Sequence, residues 1–221
     1  MDTNDAERAR QRLVDYLHRE GILYSTKVIN AMETVPRHEF VPEAVRSQAY
    51  QDEPLSIGQA QVITAPHLVA RMTELLDLHP GMTVLEIGTG SGYHAAVIAE
   101  IVGAEHVYTV ERLPELARSA REALDRTGYG AVTVVVGDGS RGLPCHPPFD
   151  RINVTAVAET IPEPLLEQLA GDGQMVIPLG PREGSHDLVL VTKHQGRVDR
   201  VNYGPVRFVP LIGEYGFDGE E

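Results

Sequence analysis

The sequence predicts an α/β fold with a doubly wound, mostly parallel sheet and helices on both faces. The first observation is the short apolar run Val84–Ile87, which ends in a glycine cluster and precedes the helix-forming run 95–99. A strand, a tight turn and a helix in this order form the first unit of such a sheet. The second is the alternation of apolar runs with helical segments from residue 107 to 178. The third is a change after Gly180, where two apolar runs without an intervening helix predict antiparallel strands.

An N-terminal extension of helices and loops is predicted before the sheet. Residues 5–19 place their apolar side chains on one face, and a second helix begins with Ser25 or Thr26 as its cap and stops before Pro36. Prolines and a glycine break every regular pattern over residues 36–66, but the apolar content of this stretch argues against disorder. We expect it to form a substrate-side wall packed over the sheet edge.

The remaining elements follow in order. A helix over 66–77 has Pro66 in its first turn and Thr64 as its cap. The predicted strands are 84–87, 107–110, 132–136, 149–154 and 174–178. One predicted helix follows the first of these strands and runs to about 102, and two others cover 114–126 and 162–169. A final hairpin pairs 188–193 with 201–209. We expect one domain over 1–221, in which 1–80 form the extension and 81–221 form the ligand-binding sheet.

Composition excludes several classes of function. The net charge of −13, from 19 Lys and Arg against 32 Asp and Glu, argues against a nucleic-acid binder. The chain has no apolar run long enough for a membrane span and no signal-peptide core, so we expect a cytoplasmic protein with no membrane partner. The single cysteine, Cys145, has no internal disulfide partner and is expected to be inert.

The glycine spacing favours one class of ligand. Gly88, Gly90 and Gly92 follow a G-x-G-x-G pattern, whereas a dinucleotide fingerprint requires its third glycine where this chain has Tyr93. The helix N-terminus that follows suits a carboxylate at least as well as a phosphate, and Glu86 can accept from an ammonium. The pattern therefore favours a ligand with an amino-acid head, such as S-adenosylmethionine. The alternative is a glycine-rich connection that binds no ligand.

Two acidic residues extend this prediction to a nucleoside. Glu111 ends the second strand of the sheet, where a carboxylate can accept from both hydroxyls of a ribose. Asp138, between Gly137 and Gly139 at the end of the third strand, is placed to accept from an adenine amine. Either residue alone would be a solvated surface charge as often as a ligand contact. A carboxylate that binds ribose fits NAD and S-adenosylmethionine alike.

The motifs resemble those of the protein-L-isoaspartate O-methyltransferases over nearly the whole chain. The specific segments are 35–42, 50–59 and 63–67 before the sheet, and the likeness continues through 85–93, 110–112, 137–139, 148–152, 168–169 and 178–180. The resemblance implies a Rossmann-like methyltransferase sheet, S-adenosylmethionine as cofactor and S-adenosylhomocysteine as product. It also implies methylation of the α-carboxylate of an isoaspartyl residue in a protein or peptide, followed by cyclisation to a succinimide and repair. We expect a monomer.

The resemblance also identifies the site residues. Those expected to bind the cofactor are Glu86, Gly88, Thr89, Gly90, Ser91, Gly92, Tyr93, Glu111, Arg112, Gly137, Asp138, Gly139 and Thr155. Ile63, Thr64 and His67 are expected at the substrate, with Thr64 as the catalytic residue that orients the carboxylate. His67 is either a second donor or a structural histidine. No histidine has metal-ligand spacing, so no metal is expected.

Thr64 departs from the serine that is usual in the family. Threonine keeps the hydroxyl but adds a methyl group and stiffens χ1. The change is either a tolerated exchange of hydroxyls or a sign of a changed substrate, such as an aspartate in a dedicated biosynthetic peptide that yields an aspartimide. Because a carboxylate is already ionised at neutral pH, neither alternative requires a general base. Two rival classes are a nicotinamide-dependent oxidoreductase and a non-enzymatic interaction module.

Overall fold

The computed structural model describes residues 3–146 and 148–219. Its α-helices are α1 (Thr3–Arg19), α2 (Thr26–Thr34), α3 (Pro66–Leu75), α4 (Tyr93–Val102), α5 (Pro114–Arg126) and α6 (Glu163–Gln168). Its strands are β1 (Leu55–Gly58), β2 (Gln61–Ile63), β3 (Val84–Ile87), β4 (Val107–Glu111), β5 (Thr133–Val136), β6 (Phe149–Val154), β7 (Leu169–Leu179), β8 (His186–His194) and β9 (Arg197–Val206). The predicted α/β class is confirmed. Within the described residues, every helix is too short or too polar to cross a bilayer.

Seven strands form one sheet in the order β5-β4-β3-β6-β7-β8-β9. The pairs β4–β5, β3–β4, β3–β6 and β6–β7 are parallel, whereas β7–β8 and β8–β9 are antiparallel, as the sequence predicted. The chain runs outward from β3 to β5 and then returns to β6 on the other side of β3. This reversal makes the carboxyl ends of β3 and β6 a topological switch point, where folds of this class bind ligands.

Alternating strand residues face two apolar layers. Val84 of β3 packs into a cluster with α4 and with Leu17 and Met32 of the N-terminal helices, so the extension shares a core with one face of the sheet. Leu85 and Ile87, which point the other way, pack into a second cluster that includes α6. The period-two alternation therefore decides which side chains lie under the ligand site.

Segment 36–66 is more regular than predicted. It contains two short 3₁₀ helices, Arg37–Phe40 and Glu43–Gln48, and an antiparallel hairpin of β1 with β2. The hairpin turns through Gln59 (φ 52°) and Ala60 (φ 55°). Tight turns with positive φ usually contain Asn or Gly, so Gln and Ala at these two positions do not indicate a turn in the sequence.

Other predicted boundaries need correction. Ser25 caps α2, as one of the two predicted alternatives, and accepts from Val28 N–H at 3.4 Å. The predicted Thr64 cap on α3 is wrong, because the N-cap position is Ala65, which has no capping side chain. Strand β7 begins at Leu169 rather than 174, which shortens the preceding helix.

Candidate active site

A cavity of about 540 Å³ opens at the carboxyl ends of β3, β4 and β6. Its walls include the glycine loop 87–91, the ends of β4 and β6, the segment from β2 into α3, and residues 205–212, which begin at the end of β9. A volume of this size is typical of small-ligand and cofactor sites. The cavity therefore lies where the strand order predicted a ligand.

The glycine loop has a backbone that side chains would disfavour. Gly88, Gly90 and Gly92 have φ values of 93°, 53° and 86°, which lie in the left-handed region. A Cβ on Gly88 would lie 2.4 Å from Thr155 Oγ1, whereas a Cβ on Gly90 would have Ile57 Cδ1 at 3.6 Å as its nearest neighbour. Gly88 thus allows a close internal contact, and Gly90 leaves open space toward the cavity.

Two side chains hold this loop. Glu111 accepts from Gly90 N–H through Oε2 at 3.0 Å and from Leu113 N–H through Oε1 at 3.0 Å. Thr155 Oγ1 donates to Gly88 O at 2.8 Å. Both side chains also line the cavity. Because each carboxylate oxygen has a second lone pair, Glu111 can support the loop and still accept from ligand hydroxyls.

The structure brings most predicted site residues to one cavity. Those that line it are Ile63, Thr64, His67, Gly88, Thr89, Gly90, Ser91, Tyr93, Glu111, Arg112, Gly139 and Thr155. Four predicted cofactor residues do not line it: Glu86, Gly92, Gly137 and Asp138. Gly92 instead faces α5, where a Cβ would lie 3.3 Å from Leu124 Cγ.

Asp138 is held by hydrogen bonds within the protein. Its Oδ1 accepts from Ser140 N–H at 2.9 Å and from Ser140 Oγ at 2.6 Å, and its Oδ2 accepts from Glu214 N–H at 2.8 Å. Gly213 packs so closely that a Cβ there would lie 1.9 Å from Asp138 Oδ1. Both carboxylate oxygens therefore have partners within the protein, and Asp138 does not line the cavity, although its neighbour Gly139 does. The contact with an adenine amine stays a prediction.

Glu86 lies beneath the cavity rather than in it. The side chain is fully buried; Oε2 accepts from Thr109 Oγ1 at 2.8 Å and Oε1 from Asn153 Nδ2 at 3.4 Å. Burial raises the pKa of Glu86 to about 8, and the nearby Glu111 charge acts in the same direction. Its placement does not support the predicted direct contact with a ligand ammonium.

Thr64 lies in the cavity wall between β2 and α3. Its hydroxyl has no hydrogen-bond partner within residues 3–146 and 148–219, and it is partly exposed to the cavity. A hydroxyl in this state can donate to an incoming carboxylate without giving up an internal bond.

His67 is fixed by a carboxylate from outside its helix. Asp52 Oδ1 accepts from both the backbone N–H and the ring Nδ1 of His67, each at 2.9 Å. Because Ala65 has no capping side chain and Pro66 has no N–H, Asp52 supplies the cap that α3 otherwise lacks. With Nδ1–H donating to Asp52, a neutral His67 presents a lone pair at Nε2, so it can donate to a carboxylate only when it carries a second proton.

A buried cation stands behind Tyr93. Arg37 is fully buried, its guanidinium lies 4.9 Å from the centre of the Tyr93 ring, and Nε donates to Ala49 O at 2.8 Å. Burial lowers the pKa of Arg37 to about 10, against the opposing effects of Tyr93 and Asp52, so it remains charged at neutral pH.

Sequence reasoning missed the segment 205–212. It lines the cavity through Arg207, an exposed cation, and through Phe208 and Leu211. Backbone hydrogen bonds attach it to Val157, which follows β6. Val157 N–H donates to Val209 O and Leu211 N–H donates to Val157 O, both at 2.8 Å. The apolar residues that follow the hairpin were the available signal, but they were assigned to its last strand.

The comparisons with known proteins agree on one family. The profile described as protein-L-isoaspartate(D-aspartate) O-methyltransferase matches residues 7–216. A protein-L-isoaspartate O-methyltransferase of Methanopyrus kandleri is 56% identical over 217 residues, covering 97% of this chain and 96% of the relative. One of Hyperthermus butylicus is 54% identical over 218 residues, covering 95% and 90%.

A solved structure extends the likeness to the fold. It is described as a putative protein-L-isoaspartate O-methyltransferase from Plasmodium falciparum in complex with S-adenosyl-L-homocysteine. It superposes with a TM-score of 0.82 at 27% identity, covering 92% of this chain and 98% of that one.

Proposed function

This chain belongs to the protein-L-isoaspartate(D-aspartate) O-methyltransferase family, and from that premise we propose how its site works. The protein transfers the methyl group of S-adenosylmethionine to the free α-carboxylate of L-isoaspartyl residues in proteins or peptides. The products are S-adenosylhomocysteine and a methyl ester that cyclises to a succinimide, which begins repair. The observation that carries the proposal is the convergence of the glycine loop, Glu111 and Thr64 on one cavity.

The residues present fit this cofactor. Gly90 leaves space that a Cβ would take, and the cavity of about 540 Å³ is large enough for a nucleoside joined to an amino acid. We propose that Glu111 accepts from the ribose hydroxyls and that the loop 88–91 holds the amino-acid part. Gly139 and Thr155 line the same cavity and complete this half of the site.

The chemistry places few demands on proton transfer. When bound, S-adenosylmethionine supplies an electrophilic methyl group on a positively charged sulfur. A carboxylate with an ordinary pKa of about 4 is already a nucleophile at neutral pH, so the protein needs no general base. Its contribution is alignment, which is worth several orders of magnitude in rate when the reacting atoms are held within about 3–3.5 Å.

Thr64 and the C-terminal segment provide that alignment. We assign the unpartnered Thr64 hydroxyl to one oxygen of the substrate carboxylate, which directs the other toward the methyl group. Phe208 and Leu211 in the segment 205–212 contribute apolar surface to the cavity wall, and we assign them to excluding water from the reacting groups. Arg207 in the same segment is a cation available to a substrate carboxylate at the entrance.

We also propose that residues 1–221 form one domain acting as a monomer. Leu17 and Met32 of the N-terminal helices share a buried cluster with Val97 of α4, so the two parts of the chain have a common core. Size measurement by light scattering tests the monomer.

The deciding experiment supplies methyl-labelled S-adenosylmethionine and two peptides that differ only in an isoaspartyl or an aspartyl linkage. We expect base-labile label on the isoaspartyl peptide. Glu111→Ala serves as the matched variant, in which labelling should fall together with cofactor affinity. Absence of label from both peptides, in protein that binds S-adenosylhomocysteine, would contradict the proposed substrate. Absence of binding would contradict the proposed cofactor.

A further inference from the structure

A polar cluster lies in the core directly beneath the cavity. It consists of Glu86 on β3, Thr109 on β4, Asn153 on β6, His94 on α4 and Thr89 in the glycine loop, all at most 6% exposed. Thr89 and His94 also line the cavity. The cluster therefore joins a buried carboxyl to the cavity wall on two sides.

The hydrogen bonds fix the protonation of His94. Thr73 Oγ1 donates to Val69 O at 2.7 Å, so at 3.0 Å it must accept from His94 Nε2–H. The other ring nitrogen, Nδ1, then accepts from Asn153 Nδ2 at 3.2 Å, and the second hydrogen of that amide points to Glu86. Because burial lowers the pKa of His94 to about 3, the ring is neutral and cannot act as a counter-cation.

Glu86 has no positive partner. Among the residues that the structure describes, no Lys, Arg or His forms an ion pair with it, and its charged neighbour is Glu111, which has the same sign. The cluster also has an acceptor to spare, because Asn153 Oδ1 is buried without a donor. Full burial without a cation favours the neutral acid, and this burial raises the pKa of Glu86 to about 8.

A chain of hydroxyls connects this carboxyl to the glycine loop. Thr109 Oγ1 lies 2.8 Å from Glu86 Oε2 and 2.8 Å from Thr89 Oγ1. In the ionised form Thr109 Oγ1 donates to Oε2, as described above, and Thr89 can donate to Thr109. A proton on Oε2 reverses both bonds, so that Oε2 donates to Thr109 and Thr109 donates to Thr89. The two threonines thus form a route for one proton between the buried acid and the cavity wall.

We propose that Glu86 is protonated in the free protein and loses its proton when S-adenosylmethionine binds in the cavity above it. The inference rests on the proposed cofactor, which brings a sulfonium and an ammonium into a site of low dielectric constant. A cation near a buried carboxyl favours the ionised form. The proton leaves Oε2 by way of Thr109 and Thr89 and passes to water and then to buffer. Glu86 is on this account a positioning residue that supplies a counter-charge only when the cofactor is present.

Calorimetry of cofactor binding tests the release. Titrations at about pH 6.5, where the cofactor amino group is protonated, are run in two buffers with different ionisation enthalpies. We expect wild type to release close to one proton per S-adenosylmethionine bound, and Glu86→Gln to bind with almost none released. Glu105→Gln, at an exposed position, is the matched control and should release as wild type does. Equal release from wild type and Glu86→Gln would overturn the proposal.

Carbon NMR of the glutamate carboxyls keeps the test independent of that variant. The Glu86 carboxyl resonance, assigned by through-bond correlations in wild type, should report a protonated acid in the free protein and a carboxylate at saturating S-adenosylmethionine. A resonance of the ionised form in the free protein would overturn the proposal whether or not the variant folds. A protein that fails to bind S-adenosylmethionine contradicts the proposed function instead, and the spectrum of the free protein still reports the charge of Glu86.

Discussion

The backbone N–H of Gly90 donates to Glu111 Oε2 at 3.0 Å, so the residue proposed to hold the ribose also fixes the loop that it faces. Glu111 Oε1 likewise accepts from the backbone N–H of Leu113, the N-cap residue of α5. One carboxylate therefore sets the distance between the glycine loop and the end of β4. We expect loss of Glu111 to remove the proposed ribose contact and to release the loop at the same time.

Glu111→Ala should weaken S-adenosylhomocysteine binding about tenfold to a hundredfold, because bonds to a charged acceptor are worth about 1.5–3 kcal/mol. Calorimetric titration measures this. Glu105→Ala, on the surface and outside the cavity wall, should bind as wild type does. Unchanged affinity in Glu111→Ala would remove this residue from the cofactor site.

Substitutions at two loop glycines should separate binding from stability. Gly90→Val should abolish S-adenosylhomocysteine binding in a protein that still folds, since a Cβ at Gly90 meets nothing closer than 3.6 Å. Gly88→Ala should reduce stability, because its Cβ would lie 2.4 Å from Thr155 Oγ1. Binding and urea unfolding are measured on both variants.

Gly81→Val is the control for backbone strain. Gly81 also has positive φ, but it has open space around it and lies before β3, away from the cavity. It should lose about 1 kcal/mol from strain and keep its cofactor affinity. Normal binding by folded Gly90→Val would mean that the loop is only a turn.

The sheet was predictable because its signals are local. The glycine cluster after Val84–Ile87, the acidic end of β4 and the strand–helix alternation are read from short stretches, and they located the cavity correctly. The cap on α3 was not predictable, because Asp52 reaches it from a different segment of the chain. The direction of Asp138 depends on Glu214, which is distant in sequence. Side-chain orientation set by such contacts leaves no periodic trace.

The burial of Glu86 was missed for a related reason. The sequence predicted a ligand contact from an acidic residue in an apolar strand beside a glycine loop. Strand alternation instead points Glu86 to the face of the sheet that α4 covers, where it meets Thr109 and Asn153. A polar side chain on each of three neighbouring strands becomes informative only when the strand order is known.

The Asp52–His67 contact should affect both stability and substrate binding. Asp52→Ala should lower the unfolding free energy by about 1 kcal/mol through loss of the helix cap and raise KM for an isoaspartyl peptide. Asp52→Asn keeps an acceptor for the His67 N–H and should recover most of the stability. Urea unfolding and peptide kinetics measure the two effects, with S-adenosylhomocysteine affinity expected to stay constant. Unchanged KM in Asp52→Ala would show that His67 does not contact the peptide.

Glu86 should give the free protein a characteristic pH dependence. Its folded pKa of about 8 lies above the ordinary value of 4.5, so the unfolded chain loses the proton first as pH rises. The contribution of Glu86 to stability is then fullest below about pH 4.5 and is lost as pH rises toward 8. Urea unfolding of wild type and Glu86→Gln across this window should show wild type declining relative to the variant. Parallel curves would indicate that Glu86 has the same pKa in both states.

Thr64 decides between the two substrates that the sequence left open. If its hydroxyl only orients the carboxylate in a repair enzyme, Thr64→Ser should keep or raise turnover of isoaspartyl peptides. Thr64→Ala should lower kcat more than it raises KM, because the contact matters most when the reacting atoms are aligned.

If the threonine methyl group instead shapes the site for an ordinary aspartate, wild type should discriminate poorly between the two linkages, and Thr64→Ser should shift preference toward isoaspartyl. One methyl group in an apolar pocket is worth about 1–3 kcal/mol, so we expect a shift of roughly tenfold to two-hundredfold rather than an absolute switch. The measurement is the ratio of kcat/KM for the isoaspartyl and aspartyl peptides in both proteins. Repair predicts a strong isoaspartyl preference in wild type that Thr64→Ser leaves unaltered, because the serine hydroxyl can donate to the same carboxylate oxygen.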